Sequence, residues 1–111
     1  MTPSLDDVLQ RPGELEGAIV ELRGTLVAVP EGIYLVADGT PSDRWRAAAL
    51  PLLEEGLLDR LFAAVPVRVG GPFYFYDTAV VSGAVTRAGD GAALRDLRGL
   101  RVERGDESYP V

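Results

Sequence analysis

The sequence predicts a mainly β domain, a five-stranded barrel with one or two helices. Three observations support this fold class. Several segments alternate apolar and polar residues with the two-residue period of a strand, and turn-forming residues separate them. One segment in the middle of the chain instead places its apolar residues at helical spacing. The length of 111 residues suits one domain and is short for two.

The first half of the chain predicts a short helix and three strands. Ser4 is a candidate N-cap for a helix at the start of the chain. A long first strand is expected at residues 18–29, with Gly24 near its middle. A glycine there marks a bend or bulge, which would let one strand serve both sides of a small barrel. A compact turn then predicts a hairpin with a second strand at residues 33–37, and a third strand follows at residues 46–52.

The clearest helix is predicted between the third and fourth strands. Residues 53–65 place leucines at helical spacing, and Pro66 ends the pattern. The fourth strand is expected to open at residues 67–69, bend at residues 70–72 and resume at residues 73–76. The glycine pair at the bend is interpreted as a bulge and not as a phosphate loop, because it does not lead from a strand into a helix.

The end of the chain predicts one more strand and a polar appendage. Asp77 is expected to turn the chain into a fifth strand at residues 79–87. Residues 92–98 are interpreted as a final helical turn, and residues 100–102 as a short edge strand. The remaining residues, 103–111, are expected to form a loose polar tail.

This order of elements resembles the OB-fold, a Greek-key barrel that carries a helix between strands three and four. The matching features are Gly24 within a long first strand, the helix at residues 53–65, and the segment Val81–Val85 near the end. The opening residues, 5–24, look like the lead-in of many small bacterial OB-like proteins. The resemblance implies a single OB-like domain at residues 1–102, with a ligand face on strands two and three. OB-folds commonly bind oligonucleotides or oligosaccharides there.

The composition excludes several kinds of catalysis. The chain has no His and no Cys, and all eleven of its basic residues are Arg. It therefore lacks an imidazole base, a thiolate nucleophile, a Schiff-base lysine and the usual nitrogen and sulfur ligands of zinc. We expect no cofactor and no metal site, and a chain that is not an enzyme. The alternative is a carboxylate- or metal-dependent enzyme whose acidic residues are brought together only by folding.

The net charge of −6 bears on the choice of partner. Proteins that hold a phosphate backbone normally present an excess of Lys and Arg, so generic nucleic-acid binding is disfavoured. The leading hypothesis is a non-enzymatic binding or interaction module that contacts another protein or a second copy of itself. The alternative is single-stranded nucleic-acid binding on the face of strands two and three.

The residues that would serve this alternative lie close together in the sequence. Tyr34 falls on the second predicted strand, and Arg44, Trp45 and Arg46 open the third. Together they could stack bases and supply positive charge. The structural alternative is that Trp45 and Tyr34 cover one end of the barrel, with the two arginines in solvent.

Two further tyrosines are candidates for a binding surface. The segment Phe73–Tyr76 alternates Phe and Tyr with strand period. We expect Phe73 and Phe75 to face the core, while Tyr74 and Tyr76 present their hydroxyls on the other face. Farther along, residues 84–104 are rich in arginine, either to attract an anionic partner or to pair with the protein's own carboxylates.

The sequence also gives an expectation for localisation. Its first residues lack the basic region and apolar run of a secretory signal. No stretch of about 18 apolar residues is present that could span a membrane. We therefore expect a cytoplasmic location and no membrane partner.

Overall fold

A computed structural model describes residues 3–67 and 71–111, which form a mostly β structure built on a closed five-stranded barrel. The strands are β1 (Ile19–Val29), β2 (Gly32–Val36), β3 (Leu50–Leu53), β4 (Phe75–Ala88), β5 (Gly91–Arg104) and β6 (Glu107–Pro110). The helices in the described residues are α1 (Leu5–Gln10), α2 (Pro12–Leu15) and α3 (Leu57–Ala64), with a 3-10 turn at Trp45–Ala48. None of these helices is long and apolar enough to cross a membrane.

The strands close into a ring in the order β1, β2, β3, β5, β4 and back to β1. All neighbours are antiparallel except β3 and β5, which run parallel where Leu52 and Leu53 meet Leu94 and Arg95. β6 lies outside the ring as a hairpin partner of β5. With α3 between β3 and β4, this order confirms the predicted fold class and is consistent with an OB-like barrel.

Gly24 allows β1 to take part in two pairings. β1 pairs with β4 from Ile19 to Ala28 and also with β2 from Thr25 onward. A Cβ atom on Gly24 would lie 2.4 Å from the carbonyl oxygen of Val36 at the end of β2. Any side chain would therefore push β2 away. β1 pairs with two strands as predicted, but the glycine serves this close approach, and neither pairing of β1 shifts register at Gly24 as the predicted bulge would.

The main core fills the barrel. Leu22, Leu26 and Ala28 point inward from β1, and Phe75, Ala79 and Val81 point inward from β4. Helices contribute as well: Val8 of α1 and Leu61 of α3 are fully buried in the same cluster. The predicted N-cap of α1 is present, because the Ser4 hydroxyl accepts a hydrogen bond from the Asp7 N–H and the Asp7 carboxylate accepts one from the Ser4 N–H.

The third strand and the main helix are shorter than predicted. Residues 45–48 form the 3-10 turn, and β3 starts only at Leu50, since alanines favour a strand weakly. α3 does not begin at residue 53, because Gly56 has a left-handed conformation with a φ of 78°. The helix therefore starts at Leu57, one residue past this break.

The predicted turn at Asp77 is wrong, because β4 runs through it without interruption. The Asp77 side chain is buried and paired with Arg104 of β5, so its polarity is satisfied within the sheet. The last two residues of the predicted fourth strand, Phe75 and Tyr76, thus join the predicted fifth strand in one long strand, whereas residues 71–74 are not in a strand. The predicted opening of strand four and its bend fall partly on residues 68–70, which lie outside the described residues.

The helical turn predicted at residues 92–98 is also wrong. These residues belong to β5, which pairs with β4 along most of its length. The pairing shifts register opposite Gly83, where β5 bulges and Asp96 takes a φ of 50°. This bulge interrupts the strand period, and the interruption resembles a helical pattern in the sequence.

The loose tail expected at residues 103–111 instead belongs to the sheet. Arg104 is the last residue of β5, and Glu107–Pro110 forms β6. Tyr109 and Val111 pack against the core, and the Val111 N–H donates to the Leu100 carbonyl at 2.9 Å. Apolar side chains at alternate positions therefore hold this polar segment to the barrel.

Candidate functional site

A second apolar cluster lies on the outer face of β1 and β2. Val27 and Val29 alternate with the inward residues of β1, and together with Val36 they pack against Trp45 from the 3-10 turn. Four rings complete this layer, which we call the aromatic cluster: Tyr34, Trp45, Phe73 and Tyr76. Their successive centroids are 5.0, 6.4 and 5.0 Å apart.

Trp45 is the centre of the aromatic cluster and is only 5% exposed. The Arg46 guanidinium lies 4.4 Å from the centroid of its ring and also forms a 2.5 Å ion pair with Glu31 in the β1–β2 turn. The segment from residue 37 to residue 49 thus covers the outer face of β1 and β2. For a base to stack on Trp45, this segment would have to move.

The structure brings together four of the six residues predicted as a binding site. Tyr34, Trp45 and Arg46 are in contact, and Tyr76 joins them through Phe73. Arg44 is exposed just before the 3-10 turn and makes no ion pair within the described residues.

Tyr74 lies elsewhere, 5.4 Å from Phe62 of α3 between ring centroids. The expected alternation fails at this point because β4 starts only at Phe75. Phe75 is in the core as predicted, whereas Phe73 turns outward to the aromatic cluster.

Tyr76 has a structural role within the aromatic cluster. Its hydroxyl donates a 2.6 Å hydrogen bond to the Thr40 carbonyl. Burial raises the pKa of this phenol above its ordinary value, so it stays protonated near neutral pH. This bond fixes the covering segment, residues 37–49, to β4. The hydrogen bond from the Thr25 hydroxyl of β1 to the Asp38 carboxylate fixes the same segment to β1.

Many of the carboxylates are paired with arginine and not with one another. The pairs are Asp7 with Arg11, Glu31 with Arg46, Asp38 and Glu103 with Arg23, Glu54 with Arg60, and Asp77 with Arg104. Among the described residues, no three acidic side chains come together as a metal site would need.

Among the described residues, the most buried ion pair joins three parts of the barrel. Arg104 donates from Nε and Nη2 to the two oxygens of Asp77, each at 2.9 Å, and from Nη1 to the Pro66 carbonyl at 2.7 Å. The Asp77 side chain is 1% exposed and that of Arg104 is 19% exposed. The hydrogen bond with Asp77 raises the pKa of Arg104, so the guanidinium stays charged.

The open part of the barrel wall carries a shallow groove of about 300 Å³, which we call the sheet-face groove. Small residues form its floor, because Ser82 of β4 lies opposite Gly99 of β5. Glu21 of β1 borders one side, and Arg101 and Pro110 border the other. Its full lining is Glu21, Val80, Ser82, Gly99, Leu100, Arg101 and Pro110.

Gly99 leaves the floor of the groove open, although its backbone conformation does not require a glycine. Its φ is not in the left-handed region, and an added Cβ would meet only the Ser82 hydroxyl, at 3.3 Å. A glycine inside a strand weakens it and often marks a place where another backbone or a ligand approaches closely.

Sequence reasoning missed this groove because residues 92–98 were interpreted as helical. The alternation from Gly99 to Glu103 was the signal that could have found it.

Comparison with protein-family models, with curated proteins and with solved structures gives no match for this chain. The class of this chain therefore rests on the described residues, which form a closed β-barrel. The aromatic cluster and residues 37–49 cover one outer face of the barrel. The outer face that carries the sheet-face groove is open.

Proposed function

We propose that this chain is a non-enzymatic binding module that contacts another protein through the sheet-face groove. The observation that carries the proposal is the small-residue floor formed by Ser82 and Gly99 on the open wall of the barrel. Val80 and Pro110 add apolar surface beside this floor, and charged residues stand at its borders. A central apolar region with a polar rim is the usual layout of a protein–protein interface.

The charges around the groove favour a protein over a nucleic acid. Glu21 lies on one border and Arg101 on the other, so both signs are present. Nearby, Arg23 is already engaged with Glu103 at 2.8 Å. A site for a phosphate backbone would instead present several unpaired cations, and the chain as a whole has a net charge of −6.

The OB-like resemblance supports a binding role, because this kind of barrel commonly hosts one. A fold does not fix a function, so the proposal rests on the groove and not on the resemblance. The absence of His, Cys and Lys from the sequence, together with the arginine-paired carboxylates, supports a role without catalysis.

Single-stranded nucleic-acid binding at the aromatic cluster is the second candidate. It is favoured by the cation–π contact of Arg46 with Trp45 and by the exposed Arg44 next to them, which forms no ion pair with any residue that the structure describes. This candidate requires the covering segment to open. It predicts that an oligonucleotide changes the emission of Trp45 at low salt and that the change disappears as salt is raised.

The test compares two valine substitutions in the same strand. Gly99→Val fills the floor of the groove, whereas Gly91→Val adds the same side chain at the start of β5, outside the groove. The purified full-length variants are immobilised and exposed to an extract of the source organism. We expect a specific protein to be retained by the wild type and by Gly91→Val, and lost with Gly99→Val.

Two results would contradict the proposal. In one, the retained proteins are the same for all three chains. In the other, a single-stranded oligonucleotide quenches Trp45 at low salt, Trp45→Phe weakens that oligonucleotide's binding, and Gly99→Val has no effect on any binding. The second result would favour the nucleic-acid candidate.

A further inference from the structure

We infer that this chain has a second docking surface, beside the first turn of α3, for a segment of another protein that carries apolar side chains next to Lys or Arg. The inference goes beyond the proposed function, because this surface shares no lining residue with the sheet-face groove. It is carried by a groove between the β1–β2 turn and α3, by exposed apolar side chains that continue this groove, and by carboxylates at its rim.

The groove has a volume of about 280 Å³, and we call it the α3 groove. Val29 and Ile33 line it on the side of the β1–β2 turn, and Leu52 and Leu57 line it on the side of β3 and α3. Each of these four side chains is at most 9% exposed, because each also belongs to one of the two apolar clusters. The packing of the barrel therefore fixes the shape of the groove before any partner binds.

The helix continues the α3 groove with exposed apolar surface. Leu58 lines the groove, and Phe62 lies one turn farther along the same side of α3. The Phe62 ring packs against Tyr74 and Phe75, with centroids 5.4 and 5.6 Å apart, yet 40% of Phe62 is exposed. Tyr74, one of the residues predicted for a binding surface, thus borders this one. Neighbouring apolar side chains left in solvent are typical of a surface that a partner covers.

The charged residues that line the α3 groove are both acidic. They are Glu54 and Asp59, and Glu55 is in the turn next to Glu54. Glu54 is already engaged, because it accepts hydrogen bonds from Arg60 and from the Leu97 N–H. Glu55 and Asp59 are exposed and form no ion pair with any residue that the structure describes. These two carboxylates can therefore pair with Lys or Arg of a partner.

The same charges disfavour other occupants. A nucleic acid would bring its phosphates toward these carboxylates. A second copy of the chain, packed on the same surface across a two-fold axis, would set the carboxylates of both copies against each other. The net charge of −6 on each copy would add to that repulsion. A basic segment with apolar side chains meets opposite charge and apolar surface together, as peptides that dock in grooves commonly do.

A library of random peptides displayed on phage, selected on the immobilised full-length chain, tests the inference. We expect the enriched peptides to combine large apolar residues with Lys or Arg. One enriched peptide is then synthesised with a fluorescent label, and its dissociation constant is measured by anisotropy. Phe62→Ser should raise this constant by about tenfold or more. Ile19→Ser removes another exposed apolar side chain, from β1, and should leave the constant unchanged.

The role of charge is tested with the same peptide. Asp59→Lys should raise its dissociation constant by roughly three- to tenfold, because an attraction is replaced by a repulsion. A second peptide, with Glu in place of each Lys and Arg, should bind Asp59→Lys more tightly than it binds the wild type. Asp6→Lys, the same change in the first turn of α1, should alter neither constant.

Several results would overturn this inference. They are a selection that enriches no peptide, enriched peptides without Lys or Arg, and peptide binding that survives Phe62→Ser or is unchanged by Asp59→Lys. Self-association of the wild type that Phe62→Ser abolishes would also overturn it, since the occupant would then be a second copy.

Two controls keep these results separate from folding and from the proposed function. Phe62 touches Phe75 of the core, so circular dichroism must show that Phe62→Ser is folded. If that variant unfolds, Asp59→Lys decides the matter, because it changes an exposed side chain. Gly99→Val, which fills the sheet-face groove, should leave the peptide's dissociation constant unchanged. Failure of the peptide test would therefore leave the proposed function standing.

Discussion

At the scale of single residues, Trp45 shows how an aromatic side chain near two arginines can be structural. Its sequence context, with Arg on each side and a tyrosine on the neighbouring strand, is typical of a stacking site. In the structure its ring is packed against Tyr34 and valine side chains of β1 and β2. The only part of the motif left in solvent is the pair of arginines.

Replacing Trp45 should therefore weaken the fold strongly. We expect Trp45→Ala to lower the free energy of unfolding by about 3–5 kcal/mol, the usual loss when a buried large aromatic is truncated. Arg46→Ala removes only an exposed ion pair and a cation–π contact, and should cost about 1 kcal/mol or less. Urea unfolding followed by circular dichroism measures both. Equal losses for the two variants would show that Trp45 is not the anchor of the covering segment.

At the scale of elements, β1 depends on the close approach of β2 at Gly24. We expect Gly24→Ala to lower the free energy of unfolding by about 1–3 kcal/mol, because its Cβ cannot coexist with the Val36 carbonyl in the present register. Gly91→Ala, also in a strand, meets nothing closer than 3.9 Å and should change stability little. Thermal unfolding of the two variants compares them. A tolerated Gly24→Ala would mean that β2 can shift without disturbing the barrel.

The first helix depends on the capping box of Ser4 and Asp7. The hydrogen bond from the Ser4 N–H lowers the pKa of Asp7 below its ordinary value of 3.8. A carboxyl group with a lowered pKa in the folded state adds stability above its unfolded pKa, and that stability is lost as pH falls through the folded value. We expect the amide signals of α1 to shift on acidification below about pH 4, and Asp7→Asn to remove that pH dependence. An unchanged acid titration in Asp7→Asn would assign the effect to another group.

At the scale of the whole molecule, the Arg104–Asp77 pair links β4, β5 and the chain that follows α3. Replacing Arg104 removes two charge-assisted hydrogen bonds from the buried Asp77 carboxylate. We expect Arg104→Met to lower the free energy of unfolding by about 3 kcal/mol, and Arg23→Met, which breaks only exposed pairs, by about 1 kcal/mol or less. Chemical denaturation of both variants tests this. Similar small losses would show that the buried pair contributes no more than a surface pair.

The sequence predicted the fold class better than the individual elements. Three features were sufficient to predict a barrel with a helix between β3 and β4. They are the alternation of apolar and polar residues in β1 and β2, the glycine at position 24, and the helical spacing of the leucines near residue 57. Asp77 misled the prediction because a carboxylate inside a strand has the signature of a turn until its partner Arg104 is known. The bulge at Asp96 caused part of β5 to be predicted as a helical turn. A register shift depends on how two strands pair, so the sequence of one strand does not reveal it.

The contacts within the candidate site were predictable only where neighbouring elements in the sequence supply the residues. Tyr34, Trp45 and Arg46 were grouped correctly from their places on neighbouring elements. Their burial was not predictable, because it depends on how the segment after β2 folds back over the sheet. The groove at Ser82 and Gly99 requires the pairing of β4 with β5, and no local pattern contains that pairing.

The short parallel contact between β3 and β5 has a consequence for how the barrel folds. β4 and β5 join through a tight turn at Gly89 and Asp90, so their long hairpin can form from local contacts. The β3–β5 contact joins Leu52 and Leu94, which are distant in sequence and pair over a very short length. Closure of the ring should therefore follow the rate-limiting step. Substitutions at Leu52 should speed unfolding and leave the folding rate nearly unchanged, whereas substitutions in the β4–β5 hairpin should slow folding itself.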